Sequence, residues 1–206
     1  MNKDFYIIPD YDFLKDEHFI PIRNYFESSH PLWTFLPDTN KAEKNSNEPH
    51  GGQFTNTILN TNEKNKRLIN KLVFRSMIPL FKGIENILPE EHGIMPIRVK
   101  CNLRYKRNKT DKTIPHVDVY NAQNDNIFSA IYYLDNADGN TILFKEFSDT
   151  SESIDINKIN VLAKIKPFRN RIVIFHSSRV HAGMSPMVSD TRRMINLVFQ
   201  INKKSK

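Results

Sequence analysis

The sequence predicts a mainly β chain of α+β class: a double-sheet jelly roll with supporting helices drawn from its N-terminal third. Three observations predict it. From residue 96 onward, apolar and polar side chains alternate in eight short runs, the period of a half-buried strand. Turn-forming clusters separate these runs, among them Asp138-Gly139-Asn140 and Lys166-Pro167. Helical spacing is confined to residues 1–95.

In chain order, residues 13–26 and 62–80 carry apolar side chains at helical spacing. In the second stretch Leu68, Leu72, Met77 and Leu80 form a stripe that Ile69 and Val73 widen. Residues 37–52 are rich in Asn, Lys, Glu, Pro and Gly without periodicity and read as a mobile loop. Its His50 and Gly51-Gly52 could close over a site as a lid, although an ordinary surface loop is the simpler reading. Predicted strands follow at 97–105, 114–120, 127–134, 140–144, 160–165, 171–175, 179–181 and 192–201. With no internal repeat and no long linker, residues 1–206 are expected to form one domain. Helical support and loops would occupy 1–95, and the jelly-roll catalytic core 96–201.

Charge and cysteine usage narrow the class. Thirty Lys and Arg against 23 Asp and Glu give a net +7. The excess is concentrated: residues 60–109 hold twelve basic and four acidic side chains, a local +8. Such a segment could steer an anionic substrate or nucleic acid, but a solvated face explains it more simply. Cys101 is the only cysteine, which excludes an intramolecular disulfide and suits a reducing compartment. Because Cys101 alternates with Val99 and Leu103, it reads as a packing residue. No signal-peptide core and no run of eighteen apolar residues occurs, so a cytoplasmic chain outside the membrane is expected.

The chemistry is carried by His116-Val117-Asp118. Two positions apart on a strand, an imidazole and a carboxylate point to the same face while Val117 points away. Adding a second imidazole gives two His and one carboxylate, the ligand set that leaves three adjacent sites of an octahedral Fe(II) open. His176 and His181 are both present downstream, and His181 stands 65 residues after His116. The chain contains no G-x-S-x-G elbow, P-loop or G-x-G-x-x-G turn, so neither a serine nucleophile nor a nucleotide cradle competes with this reading.

The stretches IPHVDVY, SAIYYLDNADGNTILF and NRIVIFHSSRVHAG, followed by TRRMINLVF, resemble the core of the 2-oxoglutarate/Fe(II) dioxygenase superfamily over residues 97–200. They look most like its small prolyl-hydroxylase-like members, including those of phages and marine bacteria. The resemblance implies a double-stranded β-helix (cupin-like jelly roll) with His116, Asp118 and His181 as iron ligands. His181 is preferred over His176 because it carries the following Ala-Gly and the family spacing, eleven residues, to Arg192. Arg192 is implied as the anchor for the far carboxylate of 2-oxoglutarate. Strand phase agrees: Arg192, Met194 and Asn196 share one face, whereas Arg193, Ile195, Leu197 and Phe199 share the mostly apolar other. A planar guanidinium also suits a carboxylate because it can donate two parallel hydrogen bonds. Tyr133, Asn196 and Asn102 are implied as further co-substrate contacts, and His176 as a packing or supporting residue.

With Fe(II), 2-oxoglutarate and O₂, the resemblance implies oxidation of a C–H bond with release of succinate and CO₂. Three functions remain in view. A hydroxylase acting on a prolyl or other protein residue, or on a free amino acid, fits IYYLD and the compact core. An oxidative nucleic-acid dealkylase would suit the basic segment, but such relatives carry a second arginine six residues after the anchor, where this chain has Val198. A non-catalytic jelly-roll module would not need two imidazoles, a carboxylate and a buried guanidinium together.

Overall fold

Alternation in the second half and the apolar stripe of the first call for sheets with helices laid against them. A computed structural model has that form and describes residues 6–7, 9, 12–36, 52–61, 67–90, 92–108, 114–119, 126–149 and 154–203. Its elements are β1 (Tyr6–Ile7), α1 (Asp16–Glu27), β2 (Thr34–Leu36), β3 (Gln53–Asn60), β4 (Arg67–Leu68), α2 (Lys71–Ser76) and α3 (Ile78–Asn86). These lead into β5 (His92–Tyr105), β6 (Ile127–Tyr133), β7 (Thr141–Phe147), β8 (Val161–Ile165), β9 (Ile172–His176), β10 (Arg179–Gly183) and β11 (Thr191–Lys203). The larger sheet runs β1-β9-β6-β11-β5-β3-β2 with β4 joined to β3, and the smaller runs β10-β7-β8. All these pairings are antiparallel. This is the mainly β, two-sheet jelly roll that the strand pattern predicts.

The two faces of the larger sheet separate by period two. On β11, Ile195, Leu197, Phe199 and Ile201 turn outward and pack with Val99 and Cys101 of β5 and Phe128, Ala130 and Tyr132 of β6. Phe19, Ile22 and Phe26 of α1 and Leu80, Phe81 and Ile84 of α3 cover that face. Cys101 is fully buried there, as its alternation predicts. The opposite residues, Ile131, Tyr133, Val173, Phe175 and Met194, meet Leu143 and Ile165 of the smaller sheet. Burial of each Leu, Ile or Phe contributes roughly 1.5 to 3 kcal/mol, so the outer cluster is what holds the helices on.

Three local predictions fail for identifiable reasons. The expected helix at 62–80 begins only at Lys71, where the Asn70 side chain accepts a hydrogen bond from the Val73 N–H (3.1 Å). It divides at Met77 because Pro79, which has no N–H, restarts the chain as α3. The third read as helices and loops also supplies β1 to β4. QFTNTILN alternates, but Asn56 interrupts the apolar side and hides β3 from an apolar-period reading. The expected strand at 114–120 shrinks to one bridge, His116 with His181. Pro115 cannot donate to a ladder, so regular pairing cannot extend through it. The expected loop at 37–52 lies, except for Gly52, outside the described residues.

The turn before β11 positions the strand that carries Arg192. Asp138 accepts the N–H groups of Met187, Val188 and Ser189 at 2.8 to 3.1 Å. Gly139 is needed beside it, since an added Cβ would lie 2.5 Å from the Met184 carbonyl oxygen.

Candidate metal centre

The bridge that replaces the expected strand assembles the site. The His116 N–H donates to the His181 carbonyl (3.0 Å) and the His181 N–H to the His116 carbonyl (2.9 Å). Two residues on, the Asp118 N–H donates to the Ser177 carbonyl (3.0 Å), which brings its carboxylate between the sheets. The ligand atoms of His116, Asp118 and His181 lie within 4.8 Å of one another, and the two rings are 4.4 Å apart. Among the described residues this is the one His/Cys/Asp/Glu group able to hold a metal.

Hydrogen bonding sets the tautomers. The His116 Nδ1 lies 2.8 Å from the Ile114 carbonyl and the His181 Nδ1 lies 3.1 Å from the Arg179 carbonyl. A carbonyl only accepts, so both Nδ1 atoms carry the proton and both Nε2 lone pairs are free to bind metal. The His181 Nε2 is 3.6 Å from Asp118 Oδ2. That oxygen also accepts from the Ser129 hydroxyl (2.7 Å) and from Asn196 Nδ2 (3.3 Å). Arg98 Nη2 pairs with Asp118 Oδ1 and donates to Asn196 Oδ1 at 3.3 Å.

These contacts put the three ligands in their metal-binding protonation states. Burial, followed by repulsion from His181, lowers the His116 imidazole to about 3. His181 is also lowered by burial, with Asp118 opposing. Burial pushes the Asp118 carboxyl up, but Arg98 and then the two histidines outweigh it and hold the group well below the carboxylate range. Two neutral imidazoles beside a carboxylate are what a divalent cation requires.

Beside the triad lies a cavity of about 230 Å³. Its β11 wall is Arg192, Met194 and Asn196, the phase expected from the sequence. Arg193 points the other way, into an ion pair with Asp135 (2.8 Å) and Glu27 of α1 (3.3 Å). Arg192 is 1 % exposed and donates through Nη2 to the Thr141 hydroxyl (2.8 Å), while its Nε and Nη1 have no partner. A buried guanidinium with unmatched donors facing a cavity fits a carboxylate. The donor set and this cradle therefore suit iron and a dicarboxylic co-substrate together.

Four other expected residues take definite places. Tyr133 is buried behind the cavity wall, and its hydroxyl donates to Thr141 (2.7 Å). Thr141 Oγ1 thus accepts twice and keeps its own proton for the cavity it lines. Asn196 and Asn102 both line the cavity; Asn196 holds Asp118, and Asn102 accepts from the Thr55 hydroxyl (3.2 Å). His176 stays outside the triad. Its Nδ1 is 2.7 Å from the Ser178 hydroxyl, and its ring packs edge-on against Phe128 and Phe147.

Sequence reasoning missed Arg98, Ser129 and Thr141, and it missed that Lys100 and Arg104 line the cavity. A signal for the cations was present. In RVKCNLRY, Arg98, Lys100, Asn102 and Arg104 alternate with Val99, Cys101 and Leu103, of which Val99 and Cys101 pack in the cluster that the helices cover. Part of the basic segment is therefore a cavity wall and not a solvated face. Among the described residues no helix is long and apolar enough to cross a membrane.

Comparison with known proteins agrees with this geometry. Residues 101–200 match the sequence profile of the 2OG-Fe(II) oxygenase superfamily. No curated protein matches the chain in sequence. The fold is similar to that of an oxidoreductase of the 2OG-Fe(II) oxygenase family from Burkholderia pseudomallei, with a TM-score of 0.66, 12% identity and coverage of 95% of this chain and 85% of that one. It is also similar to a prolyl hydroxylase from Trichoplax adhaerens in complex with a hypoxia inducible factor peptide, with a TM-score of 0.58, 15% identity and coverage of 96% and 84%. A third similar structure is SnoN, an alpha ketoglutarate dependent epimerase of nogalamycin biosynthesis, with a TM-score of 0.60, 10% identity and coverage of 98% and 82%. At these identities the structures share a fold. The chain is a 2OG-Fe(II) oxygenase superfamily enzyme with His116, Asp118 and His181 as its candidate triad, and Fe(II) and 2-oxoglutarate are its cofactor and co-substrate.

Proposed function

We propose that this enzyme hydroxylates an unactivated C–H bond of an amino acid, free or within a protein, with release of succinate and CO₂. One observation carries the reading. Two Nε2 lone pairs and one carboxylate converge within 4.8 Å, beside a buried Arg192 whose unmatched donors face the same cavity. Iron and 2-oxoglutarate supply the oxidising chemistry with O₂ when bound. His116, Asp118 and His181 would hold the metal from one side. Arg192 would take the far carboxylate, with Thr141 donating to it and Tyr133 fixing Thr141 from behind. Asn196, Ser129 and Arg98 would orient Asp118, and Asn102 would border the co-substrate.

The Tyr132-Tyr133 pair in SAIYYLD supports placement among the small prolyl-hydroxylase-like members of the phage and marine-bacterial type. A fold shared with a prolyl hydroxylase that binds a peptide supports an amino-acid or protein substrate. Val198, six residues past the anchor, is buried and apolar, which weighs against a dealkylase. The lone buried Cys101 suits a reducing compartment, and we place the enzyme in the cytoplasm.

The test is anaerobic reconstitution with Fe(II) and 2-oxoglutarate, followed by succinate release measured against panels of peptides, amino acids and alkylated oligonucleotides. A visible band formed by iron with 2-oxoglutarate and stimulation by an amino-acid or peptide component are expected. Stimulation by alkylated DNA alone would replace hydroxylase with dealkylase, and iron binding without turnover on any panel would favour a binding module.

A further inference from the structure

Charge on the cavity wall exceeds what the iron chemistry uses. Arg98, Lys100, Arg104 and Arg192 line it against one carboxylate, Asp118, a formal +3 among the described residues. A divalent metal and a dianionic co-substrate cancel each other, so +3 remains after both bind. Arg98 is engaged by Asp118 and Asn196, and Arg104 by Gln53 (3.4 Å), the Gly183 carbonyl (3.4 Å) and the Ser185 hydroxyl (3.3 Å). Arg192 is oriented by Thr141.

Lys100 differs from these three. It sits mid-way along β5, opposite Asn196 of β11 and Thr57 of β3, on the face shared with Arg98 and Asn102. It is half-buried in the cavity, and its ammonium makes no hydrogen bond or ion pair among the described residues. It lines the same cavity as His116, Asp118 and His181. Keeping an unmatched ammonium in such a place is costly unless a ligand brings the counter-charge.

We infer that Lys100, flanked by Arg98 and Arg104, binds an anionic group of the primary substrate, a carboxylate or a phosphate. The substrate is then a small acid and not a residue within an uncharged stretch of protein. Held by its acid group on β5, such a molecule presents its C–H bonds across the cavity to the metal side. This rests on the iron and 2-oxoglutarate reading above and narrows it to an anionic substrate.

The experiment uses the full chain, loaded anaerobically with Fe(II) and 2-oxoglutarate. The visible band is titrated with free L-amino acids, their C-terminal amides, and the matched pair glycerol 3-phosphate and glycerol; succinate release is then measured in air. At least one carboxylate or phosphomonoester is expected to perturb the band at a concentration about tenfold or more below its neutral counterpart, and which arm responds identifies the anion. Lys100→Met is expected to raise that concentration about tenfold or more, and Lys100→Arg to restore most of the loss. Neutral counterparts that act as well as the acids, or a Lys100→Met variant that titrates as the parent does, would overturn the inference. So would an equal loss of 2-oxoglutarate affinity in Lys100→Met, because Lys100 would then serve the co-substrate. A missing band would sink the iron reading and this one together, whereas a band that no acid perturbs sinks this one alone.

Discussion

Replacing Arg192 by Met should stabilise the protein without 2-oxoglutarate and abolish its response to 2-oxoglutarate. The opposed signs follow from its contacts. Two buried nitrogens of Arg192, Nε and Nη1, lack partners, and each unsatisfied group costs about 1 to 3 kcal/mol. The bond that would be lost, Nη2 to Thr141, contributes about 1.5 to 3 kcal/mol as a charged hydrogen bond. Taking central values, about 4 kcal/mol of relief against about 2 of loss leaves a net gain of roughly 2 kcal/mol. For a chain of this size that is a rise in Tm of about 4 to 8 °C. In the parent, 2-oxoglutarate at a hundred times its Kd should add about 2.7 kcal/mol. Loss of about 2 to 5 kcal/mol of carboxylate binding weakens Kd roughly 30-fold or more. The same concentration would then add less than about 1 kcal/mol.

The assay is thermal unfolding of iron-loaded, anaerobic protein with and without 2-oxoglutarate. Arg193→Ala is the control. Stripping the partner from Asp135 and Glu27 should destabilise the protein by about 3 kcal/mol, the low end for a buried pair, yet leave the 2-oxoglutarate shift intact. Arg192→Met that melts below the parent and still responds fully to 2-oxoglutarate would refute the assignment.

Three further outcomes follow from the site. Alanine at His116, Asp118 or His181 should abolish the visible band that iron forms with 2-oxoglutarate, whereas His176→Gln should lower Tm and keep it. Spectra with the reverse pattern would exchange the two histidines. Arg98→Met should weaken Fe(II) binding about 10- to 100-fold by releasing Asp118, read by metal titration, and an unchanged affinity would deny Arg98 that role. Metal-free stability should fall on acidification from 6.5 toward about 3, because His116 stays neutral in the folded state while the unfolded chain takes up its proton. Asp118, lowered in the fold, adds to the loss as pH drops below 3.8. A metal-free Tm that holds constant across that range would contradict buried, neutral imidazoles.

Much of this site was legible because its residues obey strand phase. Arg192 and Arg193 were separated correctly by the apolar character of Ile195, Leu197 and Phe199, which depends only on which face meets the helices. The ligand pair at 116 and 118 was found by the same rule, although the segment is not a strand. Its geometry comes from one bridge and the Asp118 to Ser177 bond, contacts across more than fifty residues that no local pattern encodes. β3 was invisible for a related reason: polar Gln53, Thr55 and Asn56 are buried there against neighbouring strands. Strand phase puts Tyr133 on the inner face with Met194, but its hydrogen bond to Thr141, which lines the cavity, comes from packing that no local pattern encodes. The cations of β5 were counted and then assigned to solvent, because composition does not distinguish a charged surface from a charged pocket.

Asn170 ties the segment before α1 to the turn that leads into β9, and this constrains how the molecule can be made. In a left-handed conformation (φ 63°), it receives the Leu14 N–H at 2.9 Å and the Tyr132 hydroxyl at 2.6 Å, and donates to the Leu14 carbonyl at 2.7 Å. Its own carbonyl takes the Phe13 N–H at 2.8 Å. Leu14 and Asn170 are 156 residues apart in sequence. At a synthesis rate of about 5 to 20 residues per second, Phe13 and Leu14 emerge roughly 8 to 30 s before the turn that receives them. During that interval the Leu14 backbone lacks the side chain that takes its N–H and donates to its carbonyl, and the apolar side chains of α1 can rest only on α3 and the strands already made. Closing so long a loop also slows folding relative to local pairing, so the sheets should form first and the N-terminal segment should lock last.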